Sequence, residues 1–241
     1  MSSLKIRNLV AGYGAVQVLH DVSMDVGTGE TVVLLGTNGN GKSTLIRSII
    51  GMVRPSAGSI ELEIDGECRD LCGMRPEQIV DLGVGIVPEG RELFPKLTVE
   101  ENLMLGAYRR KARPEIPRNL ASCYEAFPRL LERRRQLAGS MSGGEQQMLA
   151  LARSLMSSPK FLLIDEPSVG LAPIIVNRMI EKIRELKQQF GLTVLMAEQN
   201  FTQAVKIADR GYVIVHGQIA HSGTAAELND NDLIRRFYLG L

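Results

Sequence analysis

The sequence predicts an α/β fold: a largely parallel sheet wound with helices on both faces, carrying an antiparallel β segment and an inserted all-helical block. Three observations predict it. The runs "TVVLLG" (31–36) and "FLLID" (161–165) are continuous and apolar, as strands buried on both faces are. Segments of helical period alternate with such strands, the pattern of a doubly wound sheet. Between about Thr98 and Ser158 strand signals vanish, which marks 98–158 as a helical insertion in a core made of 1–97 and 159–241.

Each element follows in order. "SLKIRNLVAGYG" (3–14) alternates and ends in a Gly-Tyr-Gly turn, so it reads as a strand. "SMDVGTGETVVLLG" (23–36) reads as a hairpin feeding the first buried strand. "KSTLIRSIIGM" places Leu45, Ile46, Ile49 and Ile50 at helical spacing and stops at Gly51. "GSIELEIDGE" is a second strand pair, "RPEQIVDLG" a short helix and "VGIVP" a buried strand. In the insertion, "TVEENLMLGAY" opens with Thr98 and Glu101, a capping-box pattern. "RRKARPEIPR" (109–118), polar with two prolines, reads as a loop. "LASCYEAFPRLLERRRQ" reads as a helix with one proline break, its basic stretch 129–136 a solvated face. "GEQQMLALARSLMS" is a helix with Met148, Leu151, Ala152 and Leu155 on one face. After "FLLID", "IIVNRMIEKIRELKQQFG" is a long amphipathic helix ended by Gly191. "LTVLMAE" is a strand, "NFTQAVKIADR" a helix, "GYVIVHGQIAHSG" a hairpin and "TAAELNDNDLIRRFYLGL" a helical tail.

Bulk properties narrow the function. A chain of 241 residues with 44% hydrophobic and 23% charged residues is ordinary globular protein. A net charge of +1 provides no field of one sign to recruit nucleic acid. Three cysteines without metal-ligand or redox spacing imply free thiols in a reducing compartment. The opening residues have no apolar signal region, and the longest apolar runs fall far short of the ~20 residues of a membrane span. A cytosolic chain is expected, with any membrane association coming through a partner.

Chemistry enters at "GTNGNGKST". Gly36, Thr37, Asn38, Gly39, Asn40, Gly41, Lys42, Ser43 and Thr44 match G-x-x-x-x-G-K-[ST] in full, after an expected strand and at the start of an expected helix. Glycines let backbone N–H groups point at phosphate oxygens, and the helix dipole adds positive potential. Lys42 would reach the β- and γ-phosphates and Ser43 would ligate Mg²⁺. Asp165 ends a buried strand, where a charge is costly unless it binds something; a metal shell shared with Ser43 fits. Glu166 follows and would polarise the attacking water. Two acids at a strand end can also merely cap the next helix, but paired with a full phosphate loop they read as metal ligand and base.

"SMSGGEQQM" (140–148) is a second glycine turn of phosphate-binding look. On its residues alone it reads as an N-cap serine followed by two flexible glycines. With "MSGGE" ahead of "FLLIDEP", however, nearly the whole chain resembles the ATP-binding subunits of ABC transporters. The resemblance gives a Walker A motif at 36–44, a signature motif at 141–145 and a Walker B motif at 161–166. It implies a P-loop NTPase core with an antiparallel β subdomain and the inserted helical subdomain. It also implies that Tyr13 stacks on adenine, where a turn aromatic packed on the core is the plain alternative. Such subunits pair head to tail around ATP, so Ser142, Gly143, Gly144 and Glu145 would serve a partner's nucleotide. Met141 stands where leucine is usual.

Three positions depart from the common pattern: Glu89 where many members carry a Mg²⁺-contacting glutamine, Gln199 where most carry histidine, and Ala172 in place of aspartate. With "VPEGRELFPKLTVEENL", "AEQNFTQAVKIADRGYVI" and "RRFYLGL", they resemble the smaller ATP-binding subunit of branched-chain amino acid importers. Importers of urea or short amides share much of this pattern. The resemblance implies ATP and Mg²⁺ and a second ATP-binding subunit, a different chain or, in isolation, a second copy. It further implies two transmembrane permease subunits docked on the helical block and the Glu89 loop, an external solute-binding protein acting indirectly, and a place on the inner membrane face. A signalling GTPase would need N-K-x-D, which is absent. A soluble ABC ATPase usually carries two cassettes or a long coiled coil, and Glu166 argues against a non-hydrolysing scaffold.

Overall fold

In the computed structural model, which describes residues 2–109 and 112–231, the strands form two sheets. The first is antiparallel, in the order β2-β1-β4-β5, from β1 (Ser2–Tyr13), β2 (Val16–Val26), β4 (Ala57–Ile64) and β5 (Glu67–Asp70). The second has the order β10-β9-β3-β8-β7-β6. It contains β3 (Thr31–Leu35), β6 (Val84–Val87), β7 (Phe161–Asp165), β8 (Thr193–Glu198), β9 (Arg210–Val215) and β10 (Gln218–Thr224). Its neighbours are parallel except at the β9–β10 hairpin.

Strands β3, β7 and β8 are buried along their full length, and their alternating side chains divide between two cores. Val33, Leu35, Ile164 and Val194 join one cluster with α3 (Val99–Gly106), α6 (Gly143–Leu155) and α7 (Pro173–Phe190). Val32, Leu34, Leu163 and Leu195 join the other with α1 (Lys42–Ile49) and the antiparallel sheet. This is the period of two of a pleated strand, read on both faces. From residue 98 to 158 the described elements are helical: α3, a 3₁₀ turn at Arg113–Glu115, α4 (Ile116–Ala126), α5 (Pro128–Glu132), a 3₁₀ turn at Ala138–Ser140, and α6.

Several expectations are corrected. The segment 23–36 is not a hairpin, because β2 pairs with β1 while β3 enters the other sheet between β8 and β9. The turn between them is held by Glu30, whose carboxylate accepts from Gly27 N–H (2.8 Å) and Arg210 (2.9 Å). A strand apolar on both faces belongs in a sheet interior, which β2, partly exposed, could not provide. The loop expected over 109–118 gives way to helix from Ile116 onward, since Pro117 falls in the first turn, where its missing N–H costs nothing; 110 and 111 lie outside the described residues. The helix expected over 200–210 is the single turn α8 (Phe201–Ala204). Helix α2 (Pro76–Leu82) forms as read, and α9 (Ala225–Asp230) is the described part of the tail. Its continuation beyond 231 lies outside the described residues. All three cysteines are free thiols.

Candidate active site

The register of the parallel sheet gathers the motifs. Leu35 pairs with Glu198 and Asp165 with Ala197, so the ends of β3, β7 and β8 lie side by side at the carboxyl edge. Open α/β sheets bind ligands at this edge. The loop 36–41 leaves β3, turns through Gly39 (φ 83°) and Gly41 (φ 98°), and enters α1 at Lys42. At Gly41 a side chain would also crowd Leu19.

Lys42 is folded against its own loop. Its ammonium donates to Gly36 O (2.6 Å) and Thr37 O (3.0 Å) and forms an ion pair with Glu166 Oε1 (3.0 Å). Glu166 has φ 43°, a left-handed conformation that a side chain rarely adopts without support. The support is a hydrogen bond from its N–H to Ala197 O (2.9 Å), together with the Lys42 pair.

Asp165 accepts from the Ser43 hydroxyl at 3.1 Å and has no ion pair among the described residues. Burial, opposed by the Ser43 hydrogen bond and reinforced by Glu166 and Glu89, pushes its carboxyl up to about 6. Arg47 acts on Asp165 only at longer range, and a buried carboxylate beside a hydroxyl, both oxygen donors, suits a hard divalent ion. No group of three or more His, Cys, Asp or Glu able to hold a metal occurs among the described residues. Glu89 is exposed on the loop after β6, near enough to act electrostatically on Asp165 and Arg47. Tyr13 is 46% exposed at the end of β1, and its hydroxyl accepts from Arg47 of α1 at 3.3 Å.

Asn40, whose place in the motif any residue can fill, is buried and braces the loop. Its Nδ2 donates to Thr37 Oγ1 (2.7 Å), and its Oδ1 accepts from His216 N–H (2.9 Å) at the β9–β10 turn. Its carbonyl accepts from Gly217 N–H (3.2 Å), and Gly217 O in turn accepts from His20 N–H (2.8 Å). The spacing of the motif contains no signal for this brace.

The second glycine turn caps α6. Glu145 N–H donates to Ser142 Oγ (3.4 Å), while Glu145 Oε2 accepts from Ser142 N–H (3.0 Å) and Ser142 Oγ (2.8 Å). Gly144 lies so close to Ile175 that a Cβ would stand 2.8 Å from its Cγ2. Residues 142–145 share no hydrogen bond or ion pair with 36–44 among the described residues. Gln199 is exposed and its side chain makes no hydrogen bond among the described residues. Ala172 is the N-cap of α7 without a side-chain cap.

Sequence reasoning missed Glu198. It ends the apolar run "LTVLMAE" as Asp165 ends "FLLID", and it is fully buried. A charge closing a buried strand was the available signal.

The sequence matches the ABC transporter family over residues 19–169. It is 48% identical over 228 residues, 95% of each chain, to the high-affinity branched-chain amino acid transport ATP-binding protein BraG of Pseudomonas aeruginosa. It is 36% identical to the lipopolysaccharide export system ATP-binding protein LptB of Haemophilus influenzae, over 100% of this chain and 98% of the other. A solved ATP-binding cassette of an ABC transporter, in its ADP conformation, superposes with a TM-score of 0.83 at 26% identity, with 100% of both chains covered.

Proposed function

Because the chain belongs to the ABC transporter family, we propose that it is the ATP-hydrolysing subunit of a membrane importer for branched-chain amino acids. The observation that carries the catalytic part is the convergence of Lys42, Ser43, Asp165 and Glu166 behind a complete phosphate loop. The cargo rests on the 48% identity to BraG over 95% of both chains, against 36% to LptB.

In this reading Gly36, Thr37, Asn38, Gly39, Asn40, Gly41 and Thr44 cradle the phosphates of ATP through the loop and the start of α1. Tyr13 stacks on the adenine. Lys42 leaves Glu166 for the phosphates, and Glu166 then takes the proton of the attacking water as general base. Gln199 orients groups near the γ-phosphate by hydrogen bonding; unlike histidine it carries no proton charge. Ser43 and Asp165, with Glu89 at the edge, would hold Mg²⁺, which when bound neutralises charge on the β- and γ-oxygens. Ser142, Gly143, Gly144 and Glu145 present the amino end of α6 to ATP held by a second ATP-binding subunit, which is a different chain in the transporter.

Residues 1–97 and 159–241 would act as the nucleotide-binding core and 98–158 as a helical subdomain that meets two permease subunits. A groove of about 340 Å³ lies where they would dock, lined by Val80, Ile86, Phe94, Leu105 and Tyr108. Phe94 (51%) and Tyr108 (53%) are exposed there. No helix among the described residues is long and apolar enough to cross a membrane, so permeases would hold the chain at the inner membrane face, with a solute-binding protein outside. Deleting the gene should abolish uptake of labelled leucine, isoleucine and valine and spare urea; the opposite pattern reassigns the cargo. Failure of the chain to co-purify with membrane permeases would overturn the transport reading.

A further inference from the structure

Glu198 is the last residue of β8 and is fully buried. Four donors converge on it. Oε1 accepts from Ser168 N–H (2.9 Å), and Oε2 accepts from Ser168 Oγ (2.8 Å), Gln199 N–H (3.1 Å) and Asn200 N–H (3.2 Å). It forms no ion pair among the described residues, so hydrogen bonds alone compensate its burial. Burial raises the carboxyl's pKa, and these bonds work against that rise.

The donors come from two loops. Ser168 lies two residues past Glu166, in the segment that leads to Ala172 and α7. Gln199 and Asn200 form the bend between β8 and α8. One carboxylate therefore clips the loop that follows the general base to the loop that carries Gln199. We propose that Glu198 is a positioning residue for ATP hydrolysis, fixing Gln199 relative to Glu166 without touching the nucleotide. The inference rests on the ATPase reading above.

An isosteric amide separates this role from mere packing. In Glu198→Gln one position becomes NH₂, which meets either the Ser168 N–H or the Gln199 and Asn200 N–H groups at Oε2, and an N–H facing an N–H cannot bond. At least one arm of the clip then opens with the volume unchanged. Glu198→Gln in the full chain should lower kcat for Mg·ATP about tenfold or more, with the Kd for ATP within about twofold of the parent. Amide hydrogen exchange at Ser168 or at Asn200, whichever faces the NH₂, should speed up at least tenfold without nucleotide. Ser168→Ala, which loses only the hydroxyl arm, should lower kcat about threefold with affinity retained, and serves if Glu198→Gln fails to fold. Parent-like turnover, or parent-like exchange at both amides, in Glu198→Gln overturns the proposal. So does a loss of turnover matched by an equal loss of ATP affinity, or, where only Ser168→Ala folds, parent-like turnover in that variant. An unmodified chain that hydrolyses no ATP, alone or with its permeases, sinks the ATPase reading instead, and the exchange arm still reports whether the clip exists.

Discussion

The Lys42 ammonium lies 3.0 Å from Glu166 Oε1, with the two side chains 2% and 7% exposed. The two charges thus neutralise each other, and in the proposed mechanism phosphate must win Lys42 away before Glu166 is free to act as base. Glu166→Gln removes the competitor and the base together. Turnover should fall by about 10²–10⁴, the usual worth of a positioned base. ATP affinity should hold or tighten several-fold. Single-turnover kinetics and equilibrium nucleotide binding check both, and weakened binding would refute the competition.

The same pair predicts a stability effect in nucleotide-free protein. Lys42→Ala leaves Glu166 buried and unpaired, a situation that costs about 3–5 kcal/mol. Adding Glu166→Gln to Lys42→Ala should restore much of the loss, because the stranded charge disappears. Denaturant unfolding of the two single variants and the double variant measures this coupling.

Asn40 offers a test of loop preorganisation. Asn40→Ala deletes the bonds to Thr37 and His216 and leaves the His216 N–H short of a partner, costing about 1–3 kcal/mol. ATP should bind about tenfold more weakly, while turnover at saturating ATP changes little. Gly217→Ala should act in the same direction and more severely. Its φ is 75° and an added Cβ would stand 1.8 Å from Val18 O.

How far the sequence disclosed this arrangement depends on distance along the chain. The phosphate loop and the Asp165–Glu166 pair are local patterns, so residue type and spacing sufficed to single them out. The Lys42–Glu166 pair, the Asn40 brace and the Glu198 clip join segments far apart in the chain, and only the strand order brings those together. That order was itself partly hidden. Gly27–Glu30 has the composition of a hairpin turn, yet the burial of both faces of β3 carries it into the other sheet. Pro117 likewise marks a helix start rather than a loop because of its position in the turn. Neither a turn's composition nor a single proline records what lies on the far side.

Cys123 supplies a pH test free of the nucleotide site. Burial pushes its thiol up from 9.0 to about 12, and its Sγ donates to Ala152 O at 3.4 Å. Between these values the folded chain holds a proton that the unfolded chain releases, so stability is lost as pH rises past about 9. Relative to Cys123→Ala, the parent should lose about 2 kcal/mol between pH 9 and 10.5. Urea unfolding of both proteins across that range reads the difference. In native protein a thiol reagent should modify exposed Cys68 first and Cys123 only after unfolding.

Ser142 tests the division of labour between the two turns. Its hydroxyl caps α6, so Ser142→Ala confounds catalysis with a cap loss of about 1 kcal/mol. Ser142→Asp keeps a good N-cap and puts a negative charge where a partner's γ-phosphate would sit. Its carboxylate faces Glu145 Oε2, which in the parent accepts from Ser142 Oγ at 2.8 Å, so the variant should lose about 1–3 kcal/mol of stability and still bind ATP at its own phosphate loop. It should nevertheless depress the ATPase of the assembled transporter by about tenfold or more, at least as strongly as Gln199→Ala does. Mixing it with a partner subunit of normal sequence shows which nucleotide site fails. If the site built on Lys42 of the same chain is the one lost, the turn acts within its own subunit, and the head-to-tail arrangement is wrong.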